Sequence, residues 1–129
     1  MRLLRVVIPA TDIAEAKRFY GYVLNVAPVE DGAAKLAFDL GGVEIACVAI
    51  EQDDPETPFR PNRDPIQLAV RDLDAAYAVC RAAGGRFPRK AHPKLGALGE
   101  IRERPNGERS FYVLDPFANP LCFVETAGG

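Results

Sequence analysis

"LLRVVIPATD" (residues 3–12) decides how this chain is read, because it returns in altered form as "DPIQLAVRD" (residues 64–72). Both copies alternate apolar residues with the period of two that a half-buried strand requires, and both close on an aspartate. In the first copy Val6 and Ile8 share one face, while Arg5, Val7 and Pro9 share the other. After Asp12 the period lengthens. Ile13, Ala16, Phe19, Tyr20, Val23 and Leu24 recur at helical spacing, with Asp12 placed to cap the helix and Glu15 to complete a capping box.

The rest of the first half reads as an antiparallel meander: an Asp31-Gly32 turn, the run "AAKLAFDL", a Gly41-Gly42 turn and the run "VEIACVAI". The second half repeats the plan. Ile66, Leu68 and Val70 line one face of a strand. Asp72 caps a helix carrying Leu73, Ala76, Cys80 and Ala83, and Gly84-Gly85 ends it. A short strand near "RFPRK", a loop at 91–99, "EIRER", an Asn106-Gly107 turn, "ERSFYVLD" and "NPLCFVE" complete the set. A shift of sixty residues superposes Asp12 on Asp72, Val6 on Ile66, Ile8 on Leu68 and Ile13 on Leu73.

The expected organisation is therefore a βαβββ module at 1–50, a polar, proline-studded linker at 51–63 and a second βαβββ module at 64–129, together an α+β domain. One helix covers only one face of each sheet, so two modules must cooperate. The economical arrangement is a cupped, mixed and largely antiparallel sheet around a central cavity, with the helices on the convex side. Arg5, Val7, Pro9, Pro65, Gln67 and Ala69 would then face the cavity.

Composition narrows the function. With 129 residues, 48% apolar, the chain is large enough for a real core. A net charge of −2 supplies no broad cationic surface for phosphate backbones, which argues against nucleic acid as the partner. No run approaches the roughly 18 apolar residues of a membrane span, and the first residues lack the core of a secretory signal, so a cytoplasmic protein without a membrane partner is expected. Cys47, Cys80 and Cys122 are scattered and odd in number, which fits buried apolar residues in a reducing compartment.

Two stretches, "RVVIPATDIAEAKRFYGYVLNV" and "NGERSFYVLDPFANPLCFVE", sit at the matching ends of the two repeats. The first is similar to the strand, Asp, helix, Phe-Tyr and Val-Leu-Gly pattern of the vicinal oxygen chelate superfamily, which includes glyoxalase I, extradiol dioxygenases and bleomycin-binding proteins. The second resembles that family's Gly-Glu-Arg-Ser-Phe and Asp-Pro-Asp-Gly-Asn ending. Asn25 stands where the family has Gly, and Ala118 replaces the turn glycine, which implies strain if that position needs positive φ.

The resemblance implies one divalent metal held near the start of each half and on a later strand of each half. Carried over, those positions fall on Arg5, on Ala46 (or Cys47 after a slip of one residue), on Pro65 and on Cys122. A guanidinium stays cationic, and alanine and proline side chains carry no donor. No metal and no cofactor is therefore expected. A rescue by Glu44, Gln67, Cys47, Cys122 and His92 matches no common donor set.

Without a metal, Arg5 becomes the informative residue, since an inward charge must be answered. Two answers stand: pairing with Glu44 on the neighbouring strand, or a ligand carboxylate, phosphate or carbonyl held by the planar fork. Gln67 could orient a polar ligand atom or satisfy the backbone. On the late strand Arg109 and Phe111 share one face and Ser110 and Tyr112 the other, with the inward pair unassigned. The candidate ligand-binding residues are Arg5, Val7, Glu44, Gln67, Arg109, Phe111 and Cys122; no catalytic residue is assigned. Lys35, Arg89, Lys90, Arg102 and Arg104 read as solvated charges, and His92 as a solvated loop residue. The leading expectation is a metal-independent protein that binds a small, anionic or oxygen-rich organic molecule, in a homodimer as the resemblance implies. The alternative is a lyase- or dioxygenase-type enzyme acting on a small oxygenated substrate, with glyoxalase I and extradiol dioxygenase activity disfavoured.

Overall fold

The structure, a computed structural model, describes residues 1–51 and 55–128, so part of the expected 51–63 linker, residues 52–54, lies outside the described residues. The chain forms two compact units, Met1–Asn62 and Arg63–Gly129. The fold is α+β, and each unit carries one helix against one face of a mixed four-stranded sheet.

In the first unit the elements run β1 (Arg5–Ala10), α1 (Ile13–Leu24), β2 (Glu30–Asp31), β3 (Lys35–Asp39) and β4 (Glu44–Ala49). The sheet order is β1-β4-β3-β2, with β1 parallel to β4 and the remaining pairs antiparallel. Helix α1 starts where the sequence places it: the Asp12 carboxylate accepts from Glu15 N at 3.2 Å. The capping box is not completed, because the Glu15 carboxylate accepts from Arg18 instead. Asn25 ends the helix at φ 53°, a left-handed conformation that its short polar side chain tolerates. The helix buries Ala16, Phe19 and Tyr20 against Ile8, Leu36, Phe38, Ile45 and Cys47. Each of the large side chains contributes about 1.5–3 kcal/mol on leaving water, which sets the register, because a slip of one residue would turn this whole row outward.

The second unit repeats the plan with β5 (Ile66–Val70), α2 (Leu73–Ala82), β8 (Arg102–Glu103), β9 (Arg109–Leu114) and β10 (Pro120–Glu125), in the order β5-β10-β9-β8 and again with first and last strands parallel. Asp72 caps α2 by accepting from Ala75 N at 3.0 Å, and Gly84 leaves the helix at φ 86°. The core of this unit is aromatic. Phe111 stacks on Phe123 and meets Tyr77 of α2 edge-on, while Phe87 stacks on Tyr77.

Two expectations change. Near "RFPRK" no strand forms; a single antiparallel bridge links Arg86 to Leu114. The loop at 91–99 instead contains a small hairpin, β6 (Ala91–His92) with β7 (Gly96–Ala97). Proline at 88 and 93 supplies no backbone donor, which keeps both runs too short to lengthen the sheet.

Candidate functional site

Strand alternation and the observed registers sort every candidate onto a face. On β1, Ile8 is buried toward α1 while Val7 is 50% exposed, so the first unit's helix-free face carries Arg5, Val7 and Pro9. Register places Glu44 beside Arg5 and Ala46 beside Val7, with Asp39 and Ala37 next in line on β3. Arg5, Val7 and Glu44 are thus brought together. Arg5 Nε donates to Glu44 Oε1 at 3.1 Å, and both side chains keep about a third of their surface in solvent, 35% and 29%. Among the described residues the two Nη groups of that guanidinium have no hydrogen-bond partner. Of the two readings of Arg5, the pairing with Glu44 is observed, through Nε alone.

Glu44 also lines a groove of about 650 Å³ between the first residues, Arg2, Leu3 and Leu4, and the β3–β4 turn with Asp39. Arg2 Nη1 closes one wall by donating to Gly42 O at 2.8 Å. Leu3 and Leu4 are 64% and 49% exposed there, an apolar lip beside one cation, Arg2, and two carboxylates, Asp39 and Glu44.

On the second unit's helix-free face one register row reads Gln67, Cys122, Tyr112. Gln67 is exposed and its amide has no partner among the described residues. Cys122 is 2% exposed. Burial pushes its thiol pKa up, against the pull of hydrogen bonds from the Tyr112 and Ser110 hydroxyls and of the Arg104 charge. Burial likewise raises the Tyr112 hydroxyl, with Cys122 adding to the shift. This thiol is held neutral and is no nucleophile.

Arg109 and Phe111 lie on the opposite face, apart from Gln67 and Cys122. Phe111 is fully buried in the aromatic core. Arg109 Nη1 pairs with Glu125 at 3.0 Å, whose other oxygen accepts from Leu73 N at 3.4 Å. The helix side of the sheet claims the larger apolar ring, Phe111, and this settles the parity in favour of Ser110 and Tyr112 for the helix-free face.

Arg104 overturns the reading of a solvated charge. It is 5% exposed, and its guanidinium donates to the carbonyls of Leu95, Ala97, Leu98, Glu100 and Ser110 and to Ser110 Oγ, while lying 5.4 Å from the Tyr112 ring centre. Five carbonyl dipoles do the work of a counter-ion. The available signal was Arg104-Pro105-Asn106-Gly107, a turn whose first residue closes a hairpin with Glu108 and so belongs to the sheet.

The Asp115–Asn119 turn is held by Asp115 Oδ1, which accepts from Phe117 N and Asn119 N, both at 2.8 Å. Ala118 occupies φ 68°, as its replacement of a turn glycine implies.

A family model for the glyoxalase/bleomycin resistance protein/dioxygenase superfamily matches residues 2–123. The chain belongs to that superfamily. A glyoxalase-related enzyme from Fulvimarina pelagi shares the fold at 20% identity and a TM-score of 0.77, covering 98% of this chain and 88% of its own. A superfamily protein from Alicyclobacillus acidocaldarius does so at 22% and 0.66, covering 98% and 92%. One from Albidiferax ferrireducens is similar at 18% and 0.72, covering 96% and 98%. No protein of curated function matches the sequence.

The positions onto which the sequence resemblance carries the superfamily's metal ligands are Arg5 on β1, Ala46 on β4, Pro65 before β5 and Cys122 on β10; Cys47, the alternative to Ala46, lies on the α1 side. A cation, two side chains without donors and one protonated thiol do not fit a divalent ion. Among the described residues no group of three or more His, Cys, Asp and Glu side chains is gathered for one. His92 stands on the β6–β7 hairpin, where its Nδ1 accepts from Lys94 N and Leu95 N at 3.0 and 3.2 Å. No helix is long and apolar enough to cross a membrane, among the described residues.

Proposed function

We propose that this chain binds a small, oxygen-rich organic molecule on the helix-free face of its first sheet without a divalent metal. The observation that carries the reading is the Arg5 fork on the helix-free face of β1, tethered by Nε to Glu44 and with both Nη groups unengaged among the described residues. Glu44 offsets the positive charge, so hydrogen-bond geometry rather than net attraction selects the guest: carbonyl, carboxylate or phenolic oxygens that accept two parallel N–H bonds. Val7 and Leu4 supply apolar contact beside the fork.

The same fork supports a second reading, an enzyme of the superfamily in which Arg5 stabilises a developing oxyanion on a small oxygenated substrate. We also propose a homodimer, supported by the apolar strip of Leu3, Leu4 and Val7 on and before the edge strand β1. The deciding experiment is metal analysis of protein purified without chelators, followed by thermal-shift screening of carboxylates, phosphates and phenols against wild type and Arg5→Ala. Stabilisation by one class that disappears in Arg5→Ala supports the proposal; a stoichiometric divalent metal that raises the Tm overturns it. Light scattering at the mass of a single 14.0 kDa chain would remove the dimer.

A further inference from the structure

The segment 86–99 holds four Lys and Arg, one His and no Asp or Glu, in a chain whose net charge is −2. Six cations elsewhere pair with carboxylates, Arg5, Lys17, Arg18, Lys35, Arg102 and Arg109, while the carboxylate-free cations outside this segment are spread along the chain rather than gathered in one short stretch. Arg89, Lys90 and Lys94 have none among the described residues, and all three are exposed. They share the small β6–β7 hairpin with His92, whose Nδ1 accepts from two backbone amides, which leaves Nε2 to offer the ring's N–H.

This hairpin is not a loose loop. Its neck is closed at Gly99, where an added Cβ would lie 2.4 Å from Pro88 O, and Phe87 anchors the outgoing arm by stacking on Tyr77 at 4.4 Å. The returning arm is gripped by Arg104 through the carbonyls of Leu95 and Ala97. Concentrating unpaired cations raises their mutual repulsion, and here a buried guanidinium and a tight neck hold them in place. Fixed donors lose less entropy on binding than flexible ones.

We infer that the β6–β7 hairpin is an anion-recognition element that takes the phosphate or pyrophosphate group of a small molecule through Arg89, Lys90, Lys94 and the Nε2–H of His92. Arg89 offers two parallel donors to phosphate oxygens, and the lysines add charge. The inference is independent of Arg5 and the first sheet.

The test is titration of isotope-labelled protein with inorganic pyrophosphate at constant ionic strength, read by amide chemical shifts, beside the triple variant Arg89→Gln, Lys90→Gln, Lys94→Gln. The expected result is saturable shifts confined to residues 86–99, with affinity falling roughly tenfold or more in a variant whose Tm is unchanged, since all three side chains are exposed. Absence of saturable shifts, undiminished affinity in the variant, or binding of a single-stranded oligonucleotide without binding of pyrophosphate would each overturn it. The readout here is amide shifts at residues 86–99, and that of the sheet-face reading is stabilisation lost in Arg5→Ala, so failure here and failure of that reading are separate results.

Discussion

Arg5 and Glu44 are register partners on the parallel strands β1 and β4, and the Arg5 Nε meets the Glu44 carboxylate at 3.1 Å on the face that α1 leaves uncovered. The pair is one third exposed, so it adds little to stability, and under the proposed function its charge balance is what a guest would meet. Glu44→Gln keeps the shape and removes the negative charge. Stability should change by no more than about 1 kcal/mol in urea denaturation. Thermal stabilisation by carboxylates should rise above wild type, and an unchanged response would detach Glu44 from selection.

Arg104 should behave as a structural keystone. Arg104→Ala leaves five carbonyls without their donor, one buried and the others half-buried, and should cost about 2–4 kcal/mol. Arg104→Lys retains the charge but not the fork, and should recover less than half of that loss. Hydrogen exchange should show the amides of 95–100 losing protection first, because their carbonyls are the ones released. Wild-type protection of that segment in Arg104→Ala would contradict this assignment.

Ala118 at φ 68° carries strain that a glycine would not. Ala118→Gly should therefore stabilise the protein by about 0.5–1 kcal/mol, the relief of a left-handed alanine less the added freedom of the unfolded chain. At Asn25, whose side chain tolerates φ 53°, the same change should be worth only a few tenths of a kcal/mol. Equilibrium denaturation of the two variants side by side checks the difference.

The buried thiols give a pH dependence of known sign. Burial pushes Cys80 from near 9 up to about 12, so between those values the unfolded chain has lost a proton that the folded chain keeps. Stability is then fully present below pH 9 and declines as pH rises toward 12, by at most about 1.4 kcal/mol per pH unit for one thiol. Cys80→Ala should flatten that part of the curve. All three cysteines are buried, so a thiol-reactive dye should label none in the native state near neutral pH and three after unfolding.

The elements that alternate or cap were legible in the sequence because their causes are local. Asp12 and Asp72 start both helices, and the period of two in "RVVIPA" and "PIQLAV" places the faces of β1 and β5. Alternation pairs residues without saying which pair faces the helix. Arg109 with Phe111 and Ser110 with Tyr112 were equivalent until Phe111 met Phe123 and Tyr77. Arg104 escaped for a different reason. Its partners are carbonyls four to nine residues back and one six residues ahead, brought round by a hairpin that composition does not reveal, so a buried cation looked like any surface arginine. At Arg5 the pattern foresaw two possible partners, and only coordinates could show that Nε serves one while the Nη groups serve none.

In both units the opening strand lies beside the closing one, β1 against β4 and β5 against β10. A ribosome making this chain must therefore release residues through Ala49 before β1 has a hydrogen-bonded neighbour, and through Glu125 before β5 has one. Each half should stay a collapsed, unpaired nascent segment until its final strand emerges, then lock in one step. Truncation a few residues short of Glu125 should release a chain with a folded amino-terminal half and an unstructured remainder.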